Sequence, residues 1–285
     1  MFLDTFYSDC YAPTRHGDAA QTTRSKVRGL IRRFSDWLGR RATTDDLSDE
    51  MIARFRVAEL ERGIARDTAQ SYASYLIAMA NIAWRMGLIP RGPILRPLRA
   101  KHREAVILTP VQTAALFRAA SELSGEVGGA LACVWWTALL AMAYDTGMRR
   151  GDLLALMWPN IEMPERMVDW VAAKTGKRAV RVFSERTAAA IERLPQDRPT
   201  VFWHPFSEAR LFQLQRQLFC YAGLPANRSY GLHSLRRKHG DLVREASGLA
   251  AASEALQHSS QAVTEGFYSR PKPLDFSSFL PDPLG

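Results

Sequence analysis

The stretch YDTGMRRGDLLALMW, residues 144–158, decides how the chain is read. It leaves one helix and enters another, with an arginine in the turn between them. The residues before it, ALACVWWTALLAMAY (130–144), are apolar on every face, which marks a helix buried in a core. That run is too short to span a bilayer comfortably and leads directly into charge, so a buried helix explains it better than a membrane segment. Gly147 supplies the stop, since glycine takes the left-handed conformation that ends helices. Asp152 then opens a second helix with Leu153, Leu154 and Leu156 facing inward, near enough to Arg149 to orient it. Arg149 is therefore either a surface group beside a helix start or a buried, aimed cation.

Downstream, RMVDWVAA (166–173) and RAVRVFS (178–184) are β-prone runs flanking KTGK (174–177). Gly176 supplies the turn and Lys174 stands at the hairpin tip. Helices are expected at 184–194, 207–222 and 233–246, then shorter ones to about 269. In GLHSLRRKHGDLV (231–243), His233 and Arg236 are three apart and share one helical face. LQHSSQAVTEGFYSRP (256–271) adds His258 and Tyr268, two groups suited to phosphoryl chemistry. The closing RPKPLDFSSFLPDPLG is proline-rich and does not read as helix.

Upstream, a helix is expected at 110–121, and the first hundred residues read as a small helical bundle. TTRSKVRGLIRRFSDWLG (22–39) puts Val27, Leu30, Ile31, Phe34, Trp37 and Leu38 on one face and Lys26, Arg28, Arg32 and Arg33 on the other. Two more helices are expected at 48–62 and 67–86, with Asp67 as N-cap and Gly87 as stop. Tyr72, Leu76, Met79 and Met86, with Ile82 or Ala83, form the apolar stripe of the latter. Between the bundle and residue 108, Pro90, Pro93 and Pro97 break the periodicity. Arg91, Arg96, Arg99, Lys101 and Arg103 make this segment basic, so it is either a solvated connector or a strap against phosphates.

At 285 residues the chain suits two domains, and its net charge of +9 favours an anionic partner such as nucleic acid. Cys10, Cys133 and Cys220 are scattered and odd in number, with no CxxC, which fits a reducing compartment rather than a disulfide framework. Cys133 and Cys220 lie in apolar runs and are expected in the core. The opening residues do not have the pattern of a secretory signal, and a cytoplasmic location is expected. His233, His239 and His258 have no spacing that suits zinc, so no metal is expected.

In this order TGMRRGDLLAL, KTGK, HSLRR and LQHSS…VTEGFY resemble the tyrosine recombinase (phage integrase) family, across roughly 108–270. LTPVQTAALFRAA (108–120) is similar to the start of that family's catalytic domain. The resemblance implies a mainly α fold with a helical DNA-clamping domain at 1–95 and a basic linker at 96–107. It further implies a mostly helical catalytic domain with a small β-hairpin sheet at 108–270, and a C-terminal tail at 271–285. The two domains would close on duplex DNA like a C-shaped clamp, and a tetramer would assemble on two DNA sites. Phe276, Phe279 and Leu280 in the tail would then either dock on a neighbour or fold on their own domain.

In that family a tyrosine hydroxyl attacks a DNA phosphodiester, giving a 3′-phosphotyrosyl bond and a free 5′-hydroxyl. The bond energy is kept, so no cofactor is required. The resemblance makes Tyr268 the nucleophile and assigns Arg149 and Arg236 to the nonbridging oxygens, which forked, permanently charged guanidiniums suit. Lys174 would protonate the departing 5′-oxygen, His233 would assist proton transfer at the tyrosine, and His258 would donate to a phosphate oxygen. Lys26, Arg28, Arg32, Arg33, Arg99, Lys101, Arg103 and Lys177 are the expected contacts to DNA phosphates.

Three features depart from the pattern. Gln257 stands where the family usually has glycine, a change expected to affect backbone packing only. The arginines are doubled at 149–150 and 236–237; the position of Asp152 favours Arg149, and the spacing from His233 favours Arg236. The family's tyrosine usually lies nine residues after the histidine, where this chain has Phe267. One helical residue turns a side chain by about 100°, so Tyr268 needs a turn between Ser260 and Thr264 to absorb the extra residue. Two alternatives stay open: a non-cleaving DNA-binding protein of the same fold, and an unrelated helical nucleic-acid module.

Overall fold

Two separate hydrophobic cores organise the chain. The structure, a computed structural model, describes residues 1–17, 21–95, 106–227 and 229–257. By packing it divides into two units, Met1–His102 and Arg103–Gly285. Most of the expected linker, including Arg99, Lys101 and Arg103, lies outside the described residues, as do His258, Tyr268 and the tail.

The first unit opens with a helical run: α1 (Leu3–Phe6), a π turn (Tyr7–Tyr11) and α2 (Ala12–Arg15). Pro13 is tolerated because it falls in the first turn of α2. Leu3, Phe6, Tyr7 and Tyr11 are buried, and the Tyr7 hydroxyl meets His16 Nδ1 at 3.1 Å. The three expected helices follow as α3 (Gln21–Leu38), α4 (Asp49–Glu61) and α5 (Arg66–Arg85). Val27, Leu30, Ile31 and Phe34 of α3 face the core, and Phe34 meets Phe55 of α4 edge to face at 5.1 Å. Beneath them the fully buried Glu59 pairs with Arg33 and with Arg62.

Two details of α5 differ from expectation. Its N-cap is Ala65, and Asp67 stands inside the first turn, where its charge still suits the helix dipole. Met86 lies beyond the last turn and is exposed, so Leu76, Met79, Ile82 and Ala83 carry the stripe.

The second unit is built around α7 (Ala132–Thr146), against which α6 (Pro110–Ser121), α9 (Glu185–Glu192) and α11 (Leu232–Ala255) pack. Trp135, Leu139, Leu140 and Met142 of α7 are buried, as a helix apolar on every face requires. Thr109 and Gln112 cap α6 reciprocally, with Pro110 in its first turn. A short hairpin, β1 (Glu126–Val127) with β2 (Ala130–Leu131), precedes α7. The short α8 (Arg150–Leu154) follows it, with Leu153 and Leu156 buried and Leu154 half-buried.

The expected hairpin is β4 (Met167–Val171) paired antiparallel with β5 (Arg178–Val182), and a third strand, β3 (Ile161–Glu162), extends it to the order β3-β4-β5. Val168 and Trp170 of β4 and Ala179 of β5 point into the core. Helix α10 (Glu208–Tyr221) buries Leu218 and Phe219 and turns Cys220 outward. Cys220 is thus exposed, contrary to expectation, because it follows the buried pair onto the opposite helix face; Cys133 is half-buried. Gly248 breaks α11 with φ +85°. Among the described residues no helix is long and apolar enough to cross a membrane.

Candidate active site

Helix α7 stops where the sequence places the stop. Gly147 has φ +63°, and its N–H closes the last turn on Ala143 O. A Cβ on Gly147 would stand 2.6 Å from Cδ2 of His239, so the turn needs glycine for its conformation and for the approach of α11. The chain leaves this turn with Arg149 at the N-cap of α8, extended at φ −71° and ψ 150°.

Arg149 and Arg236 reach two successive residues, Gln257 and Leu256. Arg236, on the first turns of α11, is buried; one arm of its fork donates to Gly147 O and the other to Leu256 O. Arg149 donates to Oε1 and to the backbone oxygen of Gln257, each at 3.5 Å. Arg181 of β5 donates to Glu254 O and Ala255 O at 3.2 Å. Three arginines from a turn, a helix and a strand therefore gather the carbonyls at the end of α11, where the backbone dipole is negative. The segment they hold runs directly into His258.

The doubled arginines separate cleanly. Arg150 turns toward Phe212, with its guanidinium carbon 6.0 Å from the ring centre. Arg237 turns toward Val106 O and Ser229 O, at 3.4 and 3.5 Å.

The hairpin is fastened to this cluster on both sides of its tip. Buried Asp152 accepts from Ala173 N at 3.0 Å through Oδ1, while Oδ2 lies 3.9 Å from Arg149 Nη1. The amide of Gln257 donates to Lys177 O at 3.2 Å. Lys174, between these two ties, is exposed in the turn, where Gly176 has φ +65°.

A match to the Phage integrase family covers residues 107–273. The chain belongs to that family. Its integrase fold is similar to that of a lambda integrase dimer bound to a core site, at 17% identity and a TM-score of 0.69 over 96% of this chain and 98% of that one. It is also similar to the Tn1549 transposon integrase in complex with a circular intermediate DNA, at 13% identity and a TM-score of 0.71 over 95% and 96% of the two chains. A lambda integrase tetramer bound to a Holliday junction matches at 17% identity and a TM-score of 0.66, over 92% and 78%. No curated protein matches the sequence.

Within this integrase-family chain, His233 is exposed on the first turn of α11, three residues before Arg236. Among the described residues no three His, Cys, Asp or Glu side chains are grouped to hold a metal ion. In the first unit Lys26, Arg28 and Arg32 are exposed along α3, whereas Arg33 is committed to Glu59. Arg28 and Arg32 line a cleft of about 880 Å³ that Arg40 and Arg41 also border. Arg40 pairs with Asp46 and Arg41 with Asp4.

Three participants escape the motif reading. Arg181 is an arginine at an inward-facing strand position, two residues from buried Ala179, and that placement is the signal it offered. His239 donates from Nδ1 to Tyr144 O at 3.0 Å, and burial holds its pKa below the usual 6.5. Gln257, expected to affect packing only, has φ +47° and places its side chain between Arg149 and the hairpin.

Proposed function

We propose that this chain is a site-specific DNA recombinase that cuts and rejoins duplex DNA through a 3′-phosphotyrosyl intermediate. The observation that carries the reading is the convergence of Arg149 and Arg236 on Leu256 and Gln257, the residues immediately before His258. Guanidiniums that gather backbone oxygens in this way are suited to gather the nonbridging oxygens of a phosphodiester.

In the cleavage step the Tyr268 oxygen bonds to phosphorus as the bond from phosphorus to the 5′-oxygen breaks. The tyrosine proton passes to His233, and the 5′-oxygen takes a proton from Lys174. Arg149, Arg236 and His258 hold the charge that builds on the phosphate. Rejoining runs the same step with a 5′-hydroxyl from another strand, so bond energy is conserved. Lys26, Arg28 and Arg32, with Arg99, Lys101, Arg103 and Lys177, contact phosphates, and protomers assemble as a tetramer on two sites.

A nicked duplex whose cleaved strand diffuses away tests this, with the binding site first selected from random duplexes. A covalent protein–DNA adduct that disappears in Tyr268→Phe is the expected result. Tight, site-selective binding with no adduct overturns the reading in favour of a non-cleaving DNA-binding protein, the alternative that Phe267 at the family's usual tyrosine position supports.

A further inference from the structure

We propose that Gln257 is a positioning residue that ties the Lys174 hairpin to the arginine cluster, so that the general acid meets the leaving oxygen. This rests on the recombinase reading above. Gln257 is buried, and both ends of its amide are used: Nε2 donates to Lys177 O at 3.2 Å, and Oε1 accepts from Arg149 Nη1 at 3.5 Å. Lys177 O also closes the base of the turn, accepting from Ala172 N at 2.9 Å. The bond from Gln257 therefore lands on the atom that shapes the loop presenting Lys174.

The backbone of Gln257 supports the same assignment. Its φ of +47° is left-handed, a conformation disfavoured for any residue with a side chain. Glycine would occupy this position without strain. Strain that persists is compensated nearby, and here the compensation is the amide bridge. The opposite side of the tip is already fixed by the bond from Ala173 N to Asp152. Without Gln257 the tie from its amide to Lys177 O is lost, and a lysine on an exposed turn sweeps a wider volume.

The chemistry separates this role from a general structural one. A 5′-oxygen needs a proton as it leaves, whereas a 5′-sulfur leaves readily as the thiolate. A residue that acts through Lys174 affects only the first. The test compares adduct formation on two nicked duplexes of the selected site, one with the ordinary 5′-oxygen linkage and one with a 5′-bridging phosphorothiolate.

Gln257→Gly and Gln257→Ala are expected to slow cleavage of the oxygen substrate by at least about tenfold, a fraction of the roughly 10²–10⁴ that a general acid supplies. Both are expected to slow the sulfur substrate far less, because Arg149 keeps its bond to the backbone oxygen of residue 257. Using both variants separates side chain from backbone, because only glycine relieves the left-handed conformation. Equal slowing on both substrates, or no slowing on either, overturns the role of Gln257. Absence of any adduct from the wild-type chain on both substrates overturns the recombinase reading itself.

Discussion

The His239 ring of α11 sits in the space that a side chain on Gly147 would fill, 2.6 Å from the Cβ position. Helix α11 thereby docks on the very turn that delivers Arg149, and its Arg236 donates to the carbonyl of the same glycine. The turn that carries Arg149 and the helix that carries Arg236 are thus joined at Gly147.

Gly147→Ala should break this arrangement. A left-handed alanine costs roughly 1–2 kcal/mol, and the displaced imidazole adds an overpacking cost of about 1–3 kcal/mol. The expected outcome is an unfolding free energy lowered by the sum of the two, read as a lower urea midpoint, with adduct formation lost even where the protein remains folded. An unchanged midpoint would mean that α11 does not rest on Gly147.

Arg236→Lys is expected to be severe despite keeping the charge. A lysine cannot span Gly147 O and Leu256 O, because it presents a point charge rather than a fork. Leaving one buried carbonyl unpaired costs about 1–3 kcal/mol, and losing a transition-state donor lowers cleavage by roughly 10²–10³. Arg237→Lys, whose guanidinium turns toward Val106 O and Ser229 O, should cleave close to wild type. Measuring single-turnover adduct formation for the two variants side by side checks which arginine faces the phosphate.

Much of this was legible before any geometry. Helix α7 shows in composition because every face is buried, and the β4–β5 hairpin shows in β-branched runs around Gly176. Strands of two residues, β1, β2 and β3, are too short to display an alternation. The helical run at Leu3–Arg15 is interrupted by a π turn, which spoils the 3.6-residue period that would reveal it. Cys220 shows the limit of apolar runs: composition says that a helix has a buried face, not which residue lies on it. The roles of Arg181, His239 and Gln257 arise from contacts across 73, 95 and 108 residues of sequence, a range over which spacing carries no signal.

Acid should weaken the second unit through His239. Burial lowers its pKa in the folded chain, so the unfolded chain binds the proton more readily. Stability then falls as pH drops below the unfolded value of about 6.5, and the loss levels off below the folded pKa. Above neutrality the residue contributes no slope. His239→Asn, which keeps a donor for Tyr144 O, should flatten thermal stability between pH 7 and 5 relative to wild type, as read by calorimetry. His16 and His204 are shifted in the same direction and leave a residual slope.

In the first unit, stability and DNA binding should separate along a single helix. Arg33 is paired with the fully buried Glu59, whereas Arg28 and Arg32, earlier on α3, stand exposed. Removing one partner of a buried pair costs about 3–5 kcal/mol. Arg33 is 37% exposed and Arg62 still reaches Glu59, so Arg33→Ala should cost less, on the order of 1–2 kcal/mol. Arg28→Ala and Arg32→Ala should leave stability unchanged and each reduce the salt slope of DNA binding by about one. Titrations of duplex DNA at several salt concentrations, beside urea melts of the same variants, check both halves. A salt slope that changes with Arg33 and not with Arg28 or Arg32 would place the phosphate-facing side of α3 on its opposite edge.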